Sequence, residues 1–365
     1  MPPKRRDDNT TGSSKRLKST DPEIILSTAA QKKLGNEDYT IGWICAITTE
    51  YVAAQAFLDA THDPLESVPL NDNNIYKLGE IGKHNVVIAV LPKGGYGTTS
   101  ATSVAKDMLR TFPHIRFGLM VGIGGGAPSS KHDIRLGDIV VSTPHNEKGG
   151  LFQYDFGKAI QDKEFKVTGH LNQPPIILRA AVSDLEAQYE FDGHQFEGAI
   201  NSILEKKPRL KKYKRPNPIT DNLYQSGVTH PADDEASCAK VCGDGPSKLV
   251  QRNPRTEDED NPAVHYGIVA SANTLIKDAL LRNKIAKEHD VLCFKIEAAG
   301  LMNNFPCLVI RGICDYLDSH KNKEWQGYAA MAAAAYAKDL LARIPVNKVE
   351  AETKIKDVLS SGMFA

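Results

Sequence analysis

Ile41-Gly42-Trp43-Ile44-Cys45-Ala46-Ile47 is an unbroken apolar run, the pattern of a strand buried on both faces. Thr48-Thr49-Glu50 follows and can open a helix, and residues 51–58 carry helix-compatible apolar spacing. Working outward, further apolar runs lie at 85–91, 117–122 and 138–142, with a helix expected over 99–109. The pattern resumes at 265–271, 291–296 and 307–311. The Ala-rich stretch 327–341 has strong helix propensity and reads as the closing helix. Strands alternating with helices predict an α/β fold around a central, parallel or mixed sheet.

A chain of 365 residues, 41% hydrophobic and 25% charged, has an ordinary globular composition and can bury a core without disulfide or metal staples. Lys plus Arg and Asp plus Glu both number 45. That balance argues against a protein built chiefly to grip nucleic acid or an anionic membrane. No apolar run is long enough to span a bilayer, and the polar, basic start is unlike a signal peptide. Cys45, Cys238, Cys242, Cys293, Cys307 and Cys314 lie mostly in apolar runs. Reduced thiols in a cytoplasmic or nuclear protein are the simplest expectation.

Residues 1–37 are expected to be a disordered basic tail. Lys4-Arg5-Arg6 and Lys15-Arg16-Leu17-Lys18 have the look of a bipartite nuclear import signal, with a solvated tail as the alternative. The domain is expected over 38–345, with an insertion at about 204–262 that begins basic and ends acidic. Cys238 and Cys242 lie in it. A zinc site would want two more ligands and only His230 is nearby, so structural cysteines and no metal are expected. Residues 346–365 read as a C-terminal tail or a linker.

Acids after buried strands are the chemical lead, because ligands of α/β sheets collect at the carboxyl ends of strands. Glu50 follows the first strand and Asp315 the run Cys307-Leu308-Val309-Ile310-Arg311-Gly312-Ile313-Cys314. They suit an acid and a base, or helix caps. Glu297, in Phe294-Lys295-Ile296-Glu297-Ala298-Ala299-Gly300, sits where a strand runs into a small-residue helix. A partly buried carboxylate there needs donors; ribose hydroxyls or backbone amides would serve. Gly122-Ile123-Gly124-Gly125-Gly126 lacks both the dinucleotide spacing and the Lys-Ser/Thr end of a P-loop, and by itself signals a turn.

In order, these motifs resemble the nucleoside phosphorylase-I superfamily, in particular methylthioadenosine/S-adenosylhomocysteine nucleosidases and the fungal-type phosphorylase domains of immune-receptor-like proteins. The resemblance covers roughly residues 39–343 and implies a single three-layer α/β/α domain with a central mixed sheet. Glu50 falls on the water-activating glutamate, Glu297 on the ribose-binding glutamate, and Asp315 on the acid that protonates the leaving purine. Gly122, Ile123 and Gly124 fall on the glycine turn beneath the sugar. Leu136-Gly137-Asp138-Ile139-Val140-Val141-Ser142 falls on the next strand. Ile296 stands for a methionine at the sugar face. Leu275, with Ile276 beside it, stands for an aromatic residue that stacks on the base, and Asn273 stands for an aspartate.

Met120 replaces the phosphate-holding arginine of purine phosphorylases and Ile123 a serine. Losing those donors implies water rather than phosphate as nucleophile. On the same resemblance, Gln153 and Tyr154 are placed near the sugar or 5′ side. Lys93, His320, Lys321 and Lys323, basic residues near the proposed site, are candidates to meet a phosphate or polyphosphate there, with a solvated basic face as the alternative. The implied function is hydrolysis of a purine nucleoside or nucleotide, adenosine-type or ATP-type. A phosphorylase and a nucleoside-sensing or receptor scaffold domain are the alternatives. No cofactor, membrane or nucleic acid is expected; a homo-oligomer is.

Overall fold

The computed structural model describes residues 34–361 except 163–164, 233, 235, 237 and 321–322. Both basic clusters of the amino-terminal tail, and Lys321, therefore lie outside the described residues. The first half of the chain runs β1 (Ile41–Cys45), α1 (Thr48–Ala56), β2 (Ala60–Thr61), β3 (Tyr76–Ile81), β4 (His84–Val90), α2 (Gly97–Thr111), β5 (Phe117–Gly126), β6 (Ile139–Ser142) and β7 (Leu151–Gln153). A small hairpin, β8 (Gly157–Lys158) and β9 (Lys166–Val167), leads to α3 (Ile176–Asp192), α4 (Phe196–Lys206) and the short α5 (Cys238–Val241). The second half runs β10 (Val264–Ser271), α6 (Ala279–His289), β11 (Val291–Lys295), α7 (Ala299–Met302), β12 (Cys307–Asp315), α8 (Gln326–Ala342), α9 (Val346–Ala351) and α10 (Ile355–Ser360).

The expected mixed sheet is present. Its order is β11-β10-β6-β12-β5-β1-β4-β3-β2, and β11 also pairs with β5. The strands from β5 to β11 thus close on themselves, while β1, β4, β3 and β2 form an open wing. β5 is parallel to both β1 and β12, and all ten of its residues are buried. Helix α8 packs on β12, β5 and β6 and against α1, α3 and α4, while α2 packs with α7, β1 and β4. The Ala-rich sequence of α8 serves that contact: a Cβ at Gly312 of β12 would stand 1.9 Å from the Ala329 carbonyl. Small residues on both sides let the helix lie directly on the sheet.

The glycine run departs from its expectation. It is not a turn; Gly122–Gly126 continues β5, flanked by β12 and, at Gly125 and Gly126, by β11. Space rather than turning explains the glycines. A Cβ at Gly122 would stand 2.2 Å from Glu50 Cδ, and one at Gly125 2.2 Å from Leu317 Cγ and 2.8 Å from Asp315 Oδ1.

The stretch 204–262 is anchored by ion pairs. Arg252 meets Asp221 at 2.9 Å, and Arg255 meets the buried Asp138 at 2.6 Å. It also carries His230, Cys238 and Cys242 up to His320, a residue far along the chain. The expectation that only His230 stands near these cysteines is thereby corrected, since a local count along the chain omits a histidine that only folding delivers. After Arg343, Val349 and Ile355 are buried, and the Ile355 N–H donates to the Ile115 carbonyl at 2.9 Å. Among the described residues, no helix is long and apolar enough to cross a membrane.

Candidate active site

Glu50 lies in the first turn of α1 and is almost wholly buried, at 2% exposure. Its Oε2 accepts the amides of Ala46 (2.6 Å) and Ile47 (3.2 Å), and its Oε1 accepts that of Ile123 (2.9 Å). Two cations stand beside it. Lys295, the last residue of β11, places Nζ 3.5 Å from Glu50 Oε1 and 3.4 Å from Glu297 Oε2. Burial presses the Lys295 pKa down, but Glu50 and Glu297 outweigh it and the net shift is upward, so this lysine is an ammonium. Arg311 Nη1 is 4.0 Å from Glu50 Oε1. The Arg311 side chain is fully buried, and none of its three guanidinium nitrogens meets a hydrogen-bond acceptor.

Glu297 follows β11 in the bend before α7 and is buried, and its Oε2 has no hydrogen-bond donor. The Lys295 ammonium 3.4 Å away offsets part of the desolvation cost of that oxygen, and a hydrogen-bond donor from outside would offset more of it. Asp315 ends β12. Its Oδ1 accepts the Leu317 amide at 3.0 Å and its Oδ2 lies 3.5 Å from Cys314 Sγ. Burial lifts the Asp315 pKa, and the opposing pull of the Leu317 amide, Cys314 and Lys295 does not cancel it. Asp315 is therefore easier to protonate than an ordinary aspartate.

Lys295, Glu297 and Asp315 line a cavity of about 280 Å³. One wall is Ile123, Gly124 and Gly125 of β5; another is Phe294 to Glu297; Cys314, Asp315 and Leu317 form a third. Tyr154, Leu275, Ile276, Tyr96 and Gln326 complete it. Tyr154 is held by a 2.9 Å hydrogen bond to the Thr274 carbonyl and meets Phe294 edge-on. Leu275 and Tyr96 are 60% and 64% exposed and form the rim.

Of the residues singled out in the sequence, Asp315, Glu297, Ile296, Ile123, Gly124, Leu275, Ile276 and Tyr154 line this cavity. Glu50 stands one layer behind, touching Ile123 and Lys295, and Gly122 makes room for it. Asn273 is not on the wall: it accepts from Thr98 N and Oγ1 at 3.1 and 3.0 Å and donates from its backbone to Asp155 at 2.8 Å. Gln153 bonds Asp155 at 2.9 Å and also lies off the wall. Lys93 is exposed and outside the lining. His320 is buried against Tyr224, ring centroids 3.7 Å apart, and is not free to meet a polyphosphate. Sequence reasoning passed over Lys295, Phe294, Arg311 and Gln326. A lysine closing an otherwise apolar strand, and an arginine inside one, were readable signals.

A larger hollow of about 780 Å³ includes Arg135 and Arg252. Those guanidiniums are matched to Asp133 and Asp221, and of its lining only the Tyr224 hydroxyl is buried without a partner. The smaller cavity, by contrast, holds an acid with a raised pKa and a carboxylate oxygen without a hydrogen-bond donor.

The fold is that of the nucleoside phosphorylase-I superfamily, as the motifs led one to expect. Among solved structures, methylthioadenosine/S-adenosylhomocysteine nucleosidase of Helicobacter pylori superposes with a TM-score of 0.52 at 14% identity, covering 85% of this chain and 99% of that one. Futalosine hydrolase of the same organism gives 0.51 at 14% identity, covering 83% and 97%. No family model matches the chain. A nucleotide-binding leucine-rich repeat (NLR)-like protein of Hyaloscypha variabilis is 46% identical over 317 residues, 86% of this chain, which spans 30% of that relative's length. ATP nucleosidase Cap17 of Escherichia coli is 33% identical over 84 residues, 21% of this chain and 17% of that protein.

Proposed function

We propose that this domain hydrolyses the N-glycosidic bond of a purine nucleoside or nucleotide and releases the free base. One observation carries the reading: an acid whose pKa burial lifts, Asp315, and a buried carboxylate oxygen without a hydrogen bond, Glu297 Oε2, face a single small cavity. A departing purine needs a proton, and the oxocarbenium-like sugar needs negative charge beside it. Asp315 donates to the base nitrogen N7. Glu297 accepts from the ribose hydroxyls and lies near the developing cation. Three backbone amides occupy most of the lone pairs of Glu50; its remaining capacity, with the unused donors of Arg311, positions the attacking water.

The local charge favours water over phosphate. Lys295 and Arg311 are matched by Glu50 and Glu297, so an incoming phosphate finds no surplus cation. Met120 is wholly buried and Ile123 has no donor side chain. Phosphorolysis is the second reading, because the Arg311 guanidinium behind the cavity wall keeps unused N–H donors that a phosphate would also take. The substrate range extends to ATP by likeness to Cap17. Among the described lining residues, however, Lys295 is the only cation and it is already paired, which favours an uncharged 5′ side. The likeness to the NLR-like protein makes a nucleosidase module within a larger receptor the proposed context. A second copy of the chain would cover Tyr96 and Leu275 at the rim, as in a homo-oligomer.

Incubation with adenosine, inosine, guanosine, methylthioadenosine, AMP and ATP, with and without phosphate, tests this by chromatography of the free base. Release without phosphate supports the hydrolase. Release only with phosphate replaces it by the phosphorylase. Binding without release from any substrate replaces both by a sensing domain.

A further inference from the structure

Four side chains that the glycosidase reading does not use converge beside the loop after β12. His230, Cys238, Cys242 and His320 each present one nitrogen or sulfur, and these four atoms all lie within 4.8 Å of one another. Cys238 and Cys242 are four residues apart across α5, a spacing that puts both thiols on one side of a helical turn. His230 Nδ1 is 3.1 Å from Cys242 Sγ and 3.5 Å from Cys238 Sγ. A tetrahedral ion with metal–sulfur bonds of ~2.3 Å and metal–nitrogen bonds of ~2.0 Å has nitrogen–sulfur edges of about 3.5 Å.

The outer contacts are those of metal-binding histidines. His230 Nε2 is 2.8 Å from the Asp234 carbonyl and His320 Nε2 is 3.1 Å from the Val228 carbonyl. A carbonyl only accepts, so Nε2 is the donor on both rings, and in the neutral imidazole Nδ1 is the atom left with the lone pair. Fixing the tautomer through the far nitrogen is how proteins orient imidazole ligands. His320 is 8% exposed and its Nδ1 meets no hydrogen-bond partner. Tyr224 stacks on the ring, and the His230 amide is tied to Ser319 Oγ at 2.7 Å. A buried lone pair held in place beside two thiols is a cost unless an electrophile takes it up.

We propose that His230, Cys238, Cys242 and His320 form a structural zinc site. Two sulfurs and two imidazoles in a compact cluster select zinc among the common divalent ions. Four protein ligands leave no open position, which makes the site structural rather than catalytic. Three ligands come from the 204–262 insertion and the fourth from the loop that begins at Asp315. The ion therefore staples the insertion to the segment that carries this acid. The inference stands whether or not the cavity is a nucleosidase site.

The test is the metal content of the full chain purified without chelator, followed by exchange of the bound ion for cobalt(II). The expected result is about one zinc per chain and, with cobalt, the intense visible absorption of a tetrahedral thiolate complex. Zinc is expected to fall to none in His320→Ala and in the Cys238→Ser/Cys242→Ser double variant, and to return in His320→Cys. The wild-type cobalt spectrum decides the matter even if those variants fail to fold. The proposal is overturned if the reduced wild-type chain holds no zinc and takes up neither ion. It is equally overturned if the native chain carries a Cys238–Cys242 disulfide, or if zinc persists after both sets of substitutions.

Discussion

The Lys295 ammonium lies 3.4 Å from the Glu297 carboxylate, two residues along the same chain segment, and it holds Glu50 at nearly the same distance on its other side. One largely covered cation thus ties two of the three candidate acids together. Replacing it with an apolar side chain leaves the buried Glu297 without its ion pair and Glu50 with Arg311 alone, 4.0 Å away. Lys295→Met is expected to cost about 3–5 kcal/mol of unfolding free energy, read from the urea midpoint at neutral pH. A change below about 1 kcal/mol would show that the pair is solvated and weak.

Asp315→Asn keeps the shape of the cavity wall and removes the proton. Base release is expected to fall by roughly 10²–10⁴. Because the Asp315 pKa is raised, the active, protonated form is present below that value and is lost as pH rises through it. The wild-type rate should therefore decline on its alkaline side, and the asparagine variant should lack that limb. Undiminished release by Asp315→Asn removes the residue from the acid role.

Gly122→Ala tests the close approach behind the cavity. A methyl there meets Glu50 Cδ at 2.2 Å, and neither the buried strand nor a carboxylate bound by three amides can move away without loss. Destabilisation of about 1–3 kcal/mol together with loss of base release is expected. Gly198→Ala, where nothing lies within 4 Å of the added carbon, is the control. Equal melting temperatures for the two variants would mean that Glu50 moves freely.

Asp138 links stability to pH. Burial raises its pKa, but Arg255 and His265 more than reverse that, and the carboxyl is held down to about 2. A depressed folded pKa stabilises the fold above the ordinary value near 4, and that contribution is lost as pH falls toward 2. Asp138→Asn should be clearly less stable than wild type at pH 7, and the difference should shrink across that window. Urea midpoints measured from neutral to acid pH check this; a constant difference would contradict it.

The strand at 41–45 and the helix after it, the buried runs of β4, β5, β10, β11 and β12, and the closing helix were all legible, because burial on both faces leaves continuous apolar stretches. The helices α3 and α4 were passed over, although Pro175 before Ile176 and Gly193 after Asp192 bracket α3 with the start and stop signals of a helix. Glu297 and Asp315 could be singled out because an acid next to a core strand is costly and conspicuous. Lys295 was just as conspicuous, closing the strand Val291–Lys295, but its meaning depended on an acid 245 positions earlier, counted from Glu50. The glycine run was misread because glycine signals both turns and close approach, and only the neighbours tell them apart.

By itself, the sequence determined the alternation of buried strands and helices and the positions of three acids at their ends, because periodicity and burial are local properties of the chain. Tertiary structure alone decided that Lys295 and Arg311 stand against Glu50, that Gly122–Gly126 stays in the sheet, and that His320 joins Cys238, Cys242 and His230. Each of these is a meeting of segments far apart in sequence. The pairing of β5 with β12 and β11 and the anchoring of the insertion bring them together, and no local pattern encodes that distance.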